Sequence, residues 1–244
     1  MASSKHHFDH ADAKLAYDIL APEYYANAHV TSRNFDAATH EAFSTRLYLD
    51  LNSLVIEFGA GRGRAGEYLG VDPRLVVQTD ISEAMLKIEP RESCLLRLVC
   101  DARRTPFLDQ TFSTALAFLF DHYNDQAFFD ELYSILQPQG RFVGTLPSYT
   151  WRATLRRTLG IPVNETRFIT RDGEVVMAPS VLSPDEDIVQ RLSDAGFTNV
   201  AVRSSYLPEN IESVSPDIAR AAKSTGKSVT ELPILQTIQG TKSG

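Results

Sequence analysis

Three glycines at alternate positions follow a short apolar segment. Gly59, Gly61 and Gly63 come directly after residues 55–58. Because glycine has no side chain, such a loop lets the backbone approach a ligand at the carboxyl end of a strand. The sequence therefore predicts a cofactor-binding loop. A glycine-rich turn without a ligand is the alternative, and it would lose chain rigidity with no evident structural gain.

The same loop leaves the identity of the cofactor open. Residues 61–66 satisfy the dinucleotide pattern G-x-G-x-x-G, with Asp80 as the acidic residue 19 positions after Gly61. Glu57 favours a different ligand, because dinucleotide loops usually have a small or apolar residue there and an acid suits a cationic amino group. A dinucleotide-dependent oxidoreductase remains the alternative.

Acidic residues end three consecutive apolar segments. They are Glu57, Asp80 and Asp101. If these segments are neighbouring parallel strands, their carboxyl ends meet at one edge of a sheet, where ligands bind in open α/β folds. We expect the three carboxylates to line one site.

The elements that must position this site are short apolar runs alternating with helical stretches. Strands are predicted over residues 54–58, 75–80, 95–100, 114–120 and 142–145. Residues 125–136 carry an apolar stripe at helical spacing, and the first 50 residues also read as helical. This alternation predicts an α/β fold whose parallel sheet is covered on both faces.

The last third of the chain has a different pattern. Asp172 and Gly173 lie between two alternating stretches and predict a hairpin over residues 166–178. Residues 183–186 read as a capping box that opens a helix, which Gly196 closes. Residues 199–204 and 234–239 read as strands, and 216–223 as a short helix.

Composition excludes several classes of protein. The 244 residues include 43% hydrophobic and 23% charged residues, with a net charge of −7, which is typical of one globular domain. The acidic balance argues against nucleic-acid binding through a general positive field. The longest apolar run, residues 115–120, is too short to cross a membrane.

The two cysteines and the N-terminal sequence bear on location. Cys94 and Cys100 have the spacing of neither a zinc site nor a redox pair, so no metal site is predicted. The first residues show no apolar segment of the kind found in secretory signals. We expect a cytoplasmic protein.

The ordered series of motifs resembles the class I S-adenosylmethionine-dependent methyltransferases, in particular small-molecule enzymes similar to the quinone-biosynthesis C-methyltransferases. The matching segments are residues 57–63, 79–86, 100–102, 106–107, 129–132, 136–141 and 195–197. The resemblance implies a Rossmann-like sheet of seven strands, six parallel and the last antiparallel, with helices on both faces. One departure is Gln139, where these enzymes usually have glycine.

The resemblance also implies a cofactor, S-adenosylmethionine, and the residues that contact it. The implied contacts are Tyr17, Glu57, Gly59, Ala60, Gly61, Asp80, Ile81, Met85, Asp101, Ala102 and Phe118. In this assignment the glycine loop lies against the methionyl part, Asp80 accepts the ribose hydroxyls, and Asp101 accepts the adenine amino group.

A domain organisation follows from these assignments. We expect one methyltransferase domain over residues 1–244, with a helical lid at 1–50 and a cofactor-binding half at 51–148. Residues 149–182 form an insertion on the substrate side, and residues 183–244 complete the sheet.

Methyl transfer from a sulfonium is an in-line displacement, so positioning and exclusion of water can carry most of the catalysis. A base is needed only if the acceptor must lose a proton, and His122, after the fourth strand, is the candidate catalytic residue. A histidine that merely packs the loop is an equal alternative. Asp121 could orient it. The lid stretch supplies further candidates: Tyr17, Tyr24, Tyr25 and His29.

The acceptor is expected to be a small organic molecule methylated on O, N or C. The fourth strand lacks the Asn/Asp-Pro-Pro-Tyr signature of nucleic-acid and protein N-methylation. Trp151, Arg152, Arg156 and Arg157 read mainly as a solvated helix face, with anionic substrate binding as the alternative. The hairpin could form a homodimer contact. A non-catalytic S-adenosylmethionine-binding module is the second functional alternative.

Overall fold

The computed structural model describes residues 10–25, 30–44, 52–90, 93–162 and 164–244. Its helices are α1 (His10–Leu20), α2 (Val30–Phe43), α3 (Ala65–Leu69), α4 (Glu83–Lys87), α5 (Gln126–Ile135), α6 (Tyr149–Leu159), α7 (Asp185–Asp194) and α8 (Pro216–Thr225). Its strands are β1 (Val55–Phe58), β2 (Val76–Asp80), β3 (Leu96–Val99), β4 (Phe112–Phe118), β5 (Leu136–Pro147), β6 (Glu165–Ile169), β7 (Val175–Pro179), β8 (Phe197–Ser205) and β9 (Leu235–Lys242). No helix among these is both long and apolar enough to span a bilayer.

Seven of the strands form one sheet in the order β3-β2-β1-β4-β5-β9-β8. The first five pair in parallel, and β9 is antiparallel to both β5 and β8. Strand β8 therefore runs in the same direction as the first five. This arrangement confirms the predicted sheet of six parallel strands and a last antiparallel one.

Side chains alternate between the two faces of the sheet, as the two-residue period of a strand requires. On one face, Ile56 and Phe58 pack against apolar residues of α5 and α7. On the other face, Val55 packs with residues of α2 and α3. Strand β1 is buried on both sides, which explains why every residue in it except Glu57 is apolar.

Helix α5 begins where its sequence predicts. Asp125 caps it, because its carboxylate accepts a hydrogen bond from the Phe128 amide at 3.1 Å. Phe128, Phe129, Leu132 and Ile135 are all completely buried. The helix thus presents the predicted apolar stripe to the sheet and holds the adjacent carboxyl edge in place.

The predicted capping box before α7 is wrong. The helix begins at Asp185 with Pro184 as its N-cap. The Ser183 hydroxyl does not cap the helix; it accepts a hydrogen bond from the Arg191 guanidinium at 2.8 Å. An arginine two turns further along the helix outcompetes the local amides for this oxygen.

The predicted hairpin is present, and it contacts the N-terminal helix. Strands β6 and β7 pair across a turn in which Gly173 has a φ of +84°. Ala16 and Leu20 of α1 pack against Val176 and Ala178 of β7. The two helices of the N-terminal segment and this hairpin therefore cover one end of the sheet. A homodimer contact through the hairpin stays a prediction.

Candidate active site

The glycine loop connects β1 to α3 with a backbone that only glycine adopts easily. Gly59, Gly61 and Gly63 have φ values of +57°, +52° and +82°, in the left-handed region. A Cβ on Gly59 would lie 2.7 Å from the Tyr123 hydroxyl, and one on Gly61 would collide with the Tyr25 hydroxyl. Both the conformation and the close approach of aromatic side chains require these glycines.

Asp80, the last residue of β2, is joined to the glycine loop. Its Oδ2 accepts a hydrogen bond from the Gly61 amide at 3.0 Å, and its Oδ1 accepts one from the Ser82 amide at 2.9 Å. Burial raises the pKa of this carboxyl, and the backbone hydrogen bonds oppose that effect. A carboxylate has about four acceptor positions, so each oxygen can accept a further donor.

Glu57, on β1, holds the loop from the other side. Its Oε1 accepts a hydrogen bond from the Arg64 amide at 2.8 Å. Its Oε2 is buried and accepts no hydrogen bond from the part of the chain that the structure describes. Burial raises the pKa of this carboxyl to about 7. An unsatisfied buried carboxylate oxygen beside a glycine cradle fits a cofactor that carries an ammonium group.

These residues line a cleft at the carboxyl edge of the sheet. The predicted cofactor residues that line it are Tyr17, Glu57, Gly59, Ala60, Asp80, Ile81, Met85, Asp101, Ala102 and Phe118. Gly61 does not line the cleft, but its amide fixes Asp80. The structure thus brings together carboxylates from three strands, as the edge argument predicts.

Aromatic residues of the N-terminal segment cover this cleft. Tyr17, Tyr24 and Tyr25 all line it, and Tyr17 and Tyr24 meet edge to face with ring centroids 5.7 Å apart. The guanidinium of Arg62 lies 5.1 Å from the centre of the Tyr25 ring. These three tyrosines lie on the predicted lid segment, and their role as a lid stays a prediction. His29, the fourth lid candidate, lies outside the described residues.

A second cleft adjoins the first. Both clefts are lined by Tyr17, Tyr24, Ser32, Leu119 and His122. The second extends between α6 and the hairpin, where Trp151, Arg152 and Phe168 line it. A ligand in one cleft would therefore meet a ligand in the other across the side chains of Tyr17 and His122.

His122 lies at this boundary in a defined orientation. Its Nδ1 is hydrogen-bonded to the Pro179 carbonyl, and its Nε2 to the Tyr17 hydroxyl. Because a carbonyl only accepts hydrogen bonds, the neutral ring carries its proton on Nδ1, and Nε2 accepts from Tyr17. The single acceptor lone pair of the neutral imidazole, on Nε2, is therefore engaged by the Tyr17 hydroxyl at the boundary between the clefts.

Asp121 does not orient the His122 ring through Nδ1, which is the nitrogen that a carboxylate usually contacts when Nε2 is the reactive one. Its Oδ1 lies 3.6 Å from His122 Nε2, and Pro179 occupies the Nδ1 side. Burial alone would raise the pKa of the Asp121 carboxyl, but His122, Arg152, a hydrogen bond from Ser180 and Arg156 outweigh it and lower the pKa. Asp121 is therefore a buried negative charge at neutral pH.

The expectation that α6 presents a solvated face with these four residues is wrong. Trp151, Arg152 and Arg156 are buried, and of the four residues only Arg157 is exposed. Arg152 Nη2 and Arg156 Nη2 donate to the Ser180 hydroxyl at 3.0 and 2.7 Å, respectively. That hydroxyl donates in turn to Asp121. The arginines are buried because the hairpin end at Ser180 supplies hydrogen-bond acceptors that the sequence of α6 does not reveal.

Sequence reasoning missed two further features of the site. Arg64 forms an ion pair with Asp36 of α2, and the Tyr68 hydroxyl donates to the same carboxylate at 2.5 Å. Leu119 has a φ of +57°, a strained conformation for a residue with a large side chain, and it lines both clefts. No local sequence signal marks either feature, since both depend on contacts between distant segments.

Comparisons with known proteins agree with this geometry. Residues 56–144 match the family model described as "Methyltransferase domain". This segment contains the glycine loop and the strand ends that carry Glu57, Asp80 and Asp101. The match supports S-adenosylmethionine as the cofactor, as the resemblance implies. A search of curated proteins finds no significant match.

Solved structures share the fold over most of the chain. One similar chain comes from the complex between the Haloferax volcanii Trm112 methyltransferase activator and a methyltransferase. It is 17% identical, with a TM-score of 0.63, and the match covers 93% of this chain and 98% of that one. An S-adenosylmethionine-dependent methyltransferase from Mesorhizobium loti is 16% identical, with a TM-score of 0.58 and coverages of 85% and 100%. Geranyl diphosphate C-methyltransferase from Streptomyces coelicolor A3(2) is 14% identical, with a TM-score of 0.54 and coverages of 84% and 76%. The protein therefore has the fold of the class I S-adenosylmethionine-dependent methyltransferases, and its residues 56–144 match the methyltransferase-domain model.

Proposed function

We propose that this protein transfers a methyl group from S-adenosylmethionine to a small organic molecule. The observation that carries the proposal is the pair of adjoining clefts with Tyr17 and His122 at their boundary. A donor in the first cleft and an acceptor in the second would meet there, which is the arrangement that an in-line displacement needs.

The first cleft would hold the cofactor through the residues that the resemblance implies. Glu57 Oε2 supplies a buried acceptor for the ammonium group, and the free acceptor positions of Asp80 suit the two ribose hydroxyls. Asp101, two residues beyond β3, is placed for the adenine amino group, with Ala102 beside it. When bound, the cofactor supplies an activated methyl group on a positively charged sulfur.

The residues at the boundary would move a proton when the acceptor must lose one. Burial, followed by the nearby Tyr24 and Asp121, raises the pKa of Tyr17 well above its usual value, so its phenol stays protonated. Tyr17 can therefore pass its proton to His122 Nε2 only while it takes one from the acceptor. In this proposal His122 is the base, Tyr17 relays the proton, and the Pro179 carbonyl keeps Nε2 unprotonated beforehand.

The finer assignments belong to the same proposal. We place the protein among small-molecule enzymes similar to the quinone-biosynthesis C-methyltransferases, acting in the cytoplasm as one domain over residues 1–244. The net charge of −7 favours a small organic acceptor over a nucleic acid. The two free cysteines are consistent with a reducing location.

Isothermal titration calorimetry tests the cofactor assignment. S-adenosylhomocysteine is expected to bind and NADH is not. Asp80→Ala should weaken S-adenosylhomocysteine binding at least ten-fold, because the ribose hydroxyls lose a charged acceptor (~1.5–3 kcal/mol). Asp109→Ala changes an exposed aspartate and is the matched control. Normal binding to the Asp80 variant would contradict the placement of the ribose.

A screen of metabolites for S-adenosylhomocysteine release tests the activity itself. Release that depends on one acceptor identifies the enzyme and its substrate together. If NADH binds in place of S-adenosylhomocysteine, the protein is the oxidoreductase alternative. If S-adenosylhomocysteine binds but no acceptor yields product, that result favours a binding module without catalysis.

A further inference from the structure

The hydroxyl of Tyr123 is buried in the first cleft and has no hydrogen-bond partner among the residues that the structure describes. It lies directly over the glycine loop, since a Cβ placed on Gly59 would be 2.7 Å from its oxygen. A buried hydroxyl without a partner lowers the stability of a folded protein. The proton transfer proposed above, between Tyr17 and His122, does not use it.

Packing fixes the position of this hydroxyl. The Tyr123 ring meets the Phe128 ring edge to face with centroids 5.0 Å apart, and the Phe120 ring lies at 6.1 Å. Both phenylalanines are completely buried, so they anchor the ring to the core. The Tyr123 amide also donates to the Phe120 carbonyl at 3.1 Å. The hydroxyl is therefore held in the cleft by contacts that need no ligand.

The phenol of Tyr123 is a hydrogen-bond donor at neutral pH. Burial, followed by the nearby carboxylates of Asp80, Asp121 and Glu57, raises the pKa of Tyr123 well above its usual value. A protonated phenol donates one hydrogen bond. Since the described part of the chain offers no acceptor for this proton, the partner that remains is an acceptor on a ligand in the cleft.

The backbone of the glycine loop leaves few donors for a ligand. Loops of this kind often bind an anionic group through their amides. Here the amides of residues 60–64 all donate to acceptors within the protein, namely the carbonyls of Thr79 and Ala60, the carboxylates of Asp80 and Glu57, and the Tyr25 hydroxyl. An anionic group beside this loop therefore needs a donor from a side chain.

Several side-chain donors of the cleft are engaged as well. Of the described residues that line it, Arg64 is the only arginine or lysine, and it forms an ion pair with Asp36. The Tyr68 hydroxyl donates to the same carboxylate, and the Tyr17 hydroxyl donates to His122. Among the tyrosine hydroxyls of the described cleft lining, the one that is buried without a partner is the one over the first glycine.

We propose that Tyr123 is a cofactor-binding residue whose hydroxyl donates a hydrogen bond to the carboxylate of the methionyl part. This inference rests on the proposed function, because it assumes the same cofactor with its methionyl part against the glycine loop. Glu57 Oε2 is already assigned to the ammonium group, so the carboxylate is the charged group of that part that still needs a partner. A hydrogen bond to an ionised acceptor is stronger than one between neutral groups. The contact makes the protein select ligands that keep the carboxylate.

Isothermal titration calorimetry with two ligands tests this assignment. One is S-adenosylhomocysteine, and the other is its decarboxylated analogue, which keeps the adenosine, the sulfur and the ammonium group. Tyr123→Phe removes only the hydroxyl. The variant should bind S-adenosylhomocysteine at least about ten-fold more weakly, as is typical for loss of a hydrogen bond to a charged group. It should bind the decarboxylated analogue as tightly as the unaltered protein does.

Tyr133→Phe is the matched control. It removes the hydroxyl of another half-buried tyrosine, which packs against Phe197 and does not line the first cleft. Its affinities for both ligands should equal those of the unaltered protein.

Thermal unfolding gives a second readout, which a purely structural role of Tyr123 would move in the opposite direction. Because the hydroxyl has no partner within the described part of the protein, ligand-free Tyr123→Phe should have the Tm of the unaltered protein or a higher one. S-adenosylhomocysteine should then raise the Tm of the variant by less than it raises that of the unaltered protein.

The outcomes separate this proposal from the proposed function. If S-adenosylhomocysteine does not bind to the unaltered protein, the proposed function fails and this inference fails with it. If it binds equally well to Tyr123→Phe, only the assignment of Tyr123 is wrong. An equal loss of both ligands in the variant would also overturn the assignment, because the hydroxyl would then contact the adenosine or the ammonium group. A lower Tm of the ligand-free variant would overturn it too, since the hydroxyl would then have a partner within the protein.

Discussion

The Tyr17 hydroxyl is hydrogen-bonded to His122 Nε2, although the two residues are 105 positions apart. Tyr17 comes from α1 and His122 from the loop after β4, and the hairpin supplies the Pro179 carbonyl that fixes the ring. Three segments thus meet at the boundary between the two clefts. Since α1 also packs on the hairpin, displacement of this helix would disturb both the ring and the tyrosines that cover the first cleft.

His122→Ala should slow turnover without lowering the affinity for the cofactor. Removing a general base typically costs a factor of about 10²–10⁴ in rate. The measurement is kcat for the acceptor found in the metabolite screen, together with S-adenosylhomocysteine affinity by calorimetry. The exposed His40→Ala is the control. Unchanged turnover in His122→Ala would remove His122 as the base and favour a packing role.

Tyr17→Phe separates proton relay from lid packing. Phenylalanine keeps the ring contacts with Tyr24, Phe168 and His122 but removes the hydroxyl. If the hydroxyl relays a proton, kcat should fall about 10²-fold while KM and cofactor affinity stay unchanged. The pH dependence of kcat should also change. A variant with normal kcat and an unchanged pH profile would leave Tyr17 as a lid residue only.

Glu57→Gln should flatten part of the pH dependence of stability. The folded-state pKa of Glu57 is raised to about 7 by burial, from 4.5. Between these values the folded protein holds a proton that the unfolded chain has lost, so the free energy of unfolding falls as pH rises. The loss amounts to roughly 3 kcal/mol above pH 7. Glutamine keeps the acceptor for the Arg64 amide and cannot ionise.

Chemical denaturation of the ligand-free protein from about pH 4.5 to pH 8 measures this effect. The variant should gain stability relative to the unaltered protein as pH rises and should match it at the acidic end. Glu186→Gln, on the exposed side of α7, is the control and should show no such divergence. Parallel stability curves for Glu57→Gln would show that Glu57 keeps an ordinary pKa.

The cofactor side of the site could be predicted from sequence because its signals are local. The glycines stand together in the chain, and Glu57 and Asp80 each lie on a short apolar segment that could only be a buried strand. The geometry of parallel strands then brings their carboxyl ends to one edge. Identifying these segments as parallel strands is therefore enough to predict that their acidic side chains converge.

The lining of the second cleft could not be predicted in the same way. Arg152 and Arg156 have the spacing of an exposed helix face, and only the approach of Ser180, 24 positions after Arg156, buries them. The left-handed backbone at Leu119 likewise has no sequence signal, because its cause lies in surrounding packing. Such features arise from contacts between distant segments, which the periodicity of one element does not encode.

Gln139→Gly should stabilise the protein, because Gln139 has a φ of +64° and its side chain is exposed. A left-handed conformation costs a residue with a side chain about 1–2 kcal/mol. Glycine avoids that cost but gains entropy when unfolded, at about 0.5–1 kcal/mol. The net expectation is a stabilisation of about 0.5–1 kcal/mol, or a rise in Tm of roughly 1–4 °C.

Gln137→Gly, two positions earlier, is the control and should instead destabilise the protein. The φ of Gln137 is not left-handed, and its side chain donates to the Thr111 carbonyl at 3.2 Å. Equal losses in both variants by thermal unfolding would show that the backbone at Gln139 is not strained.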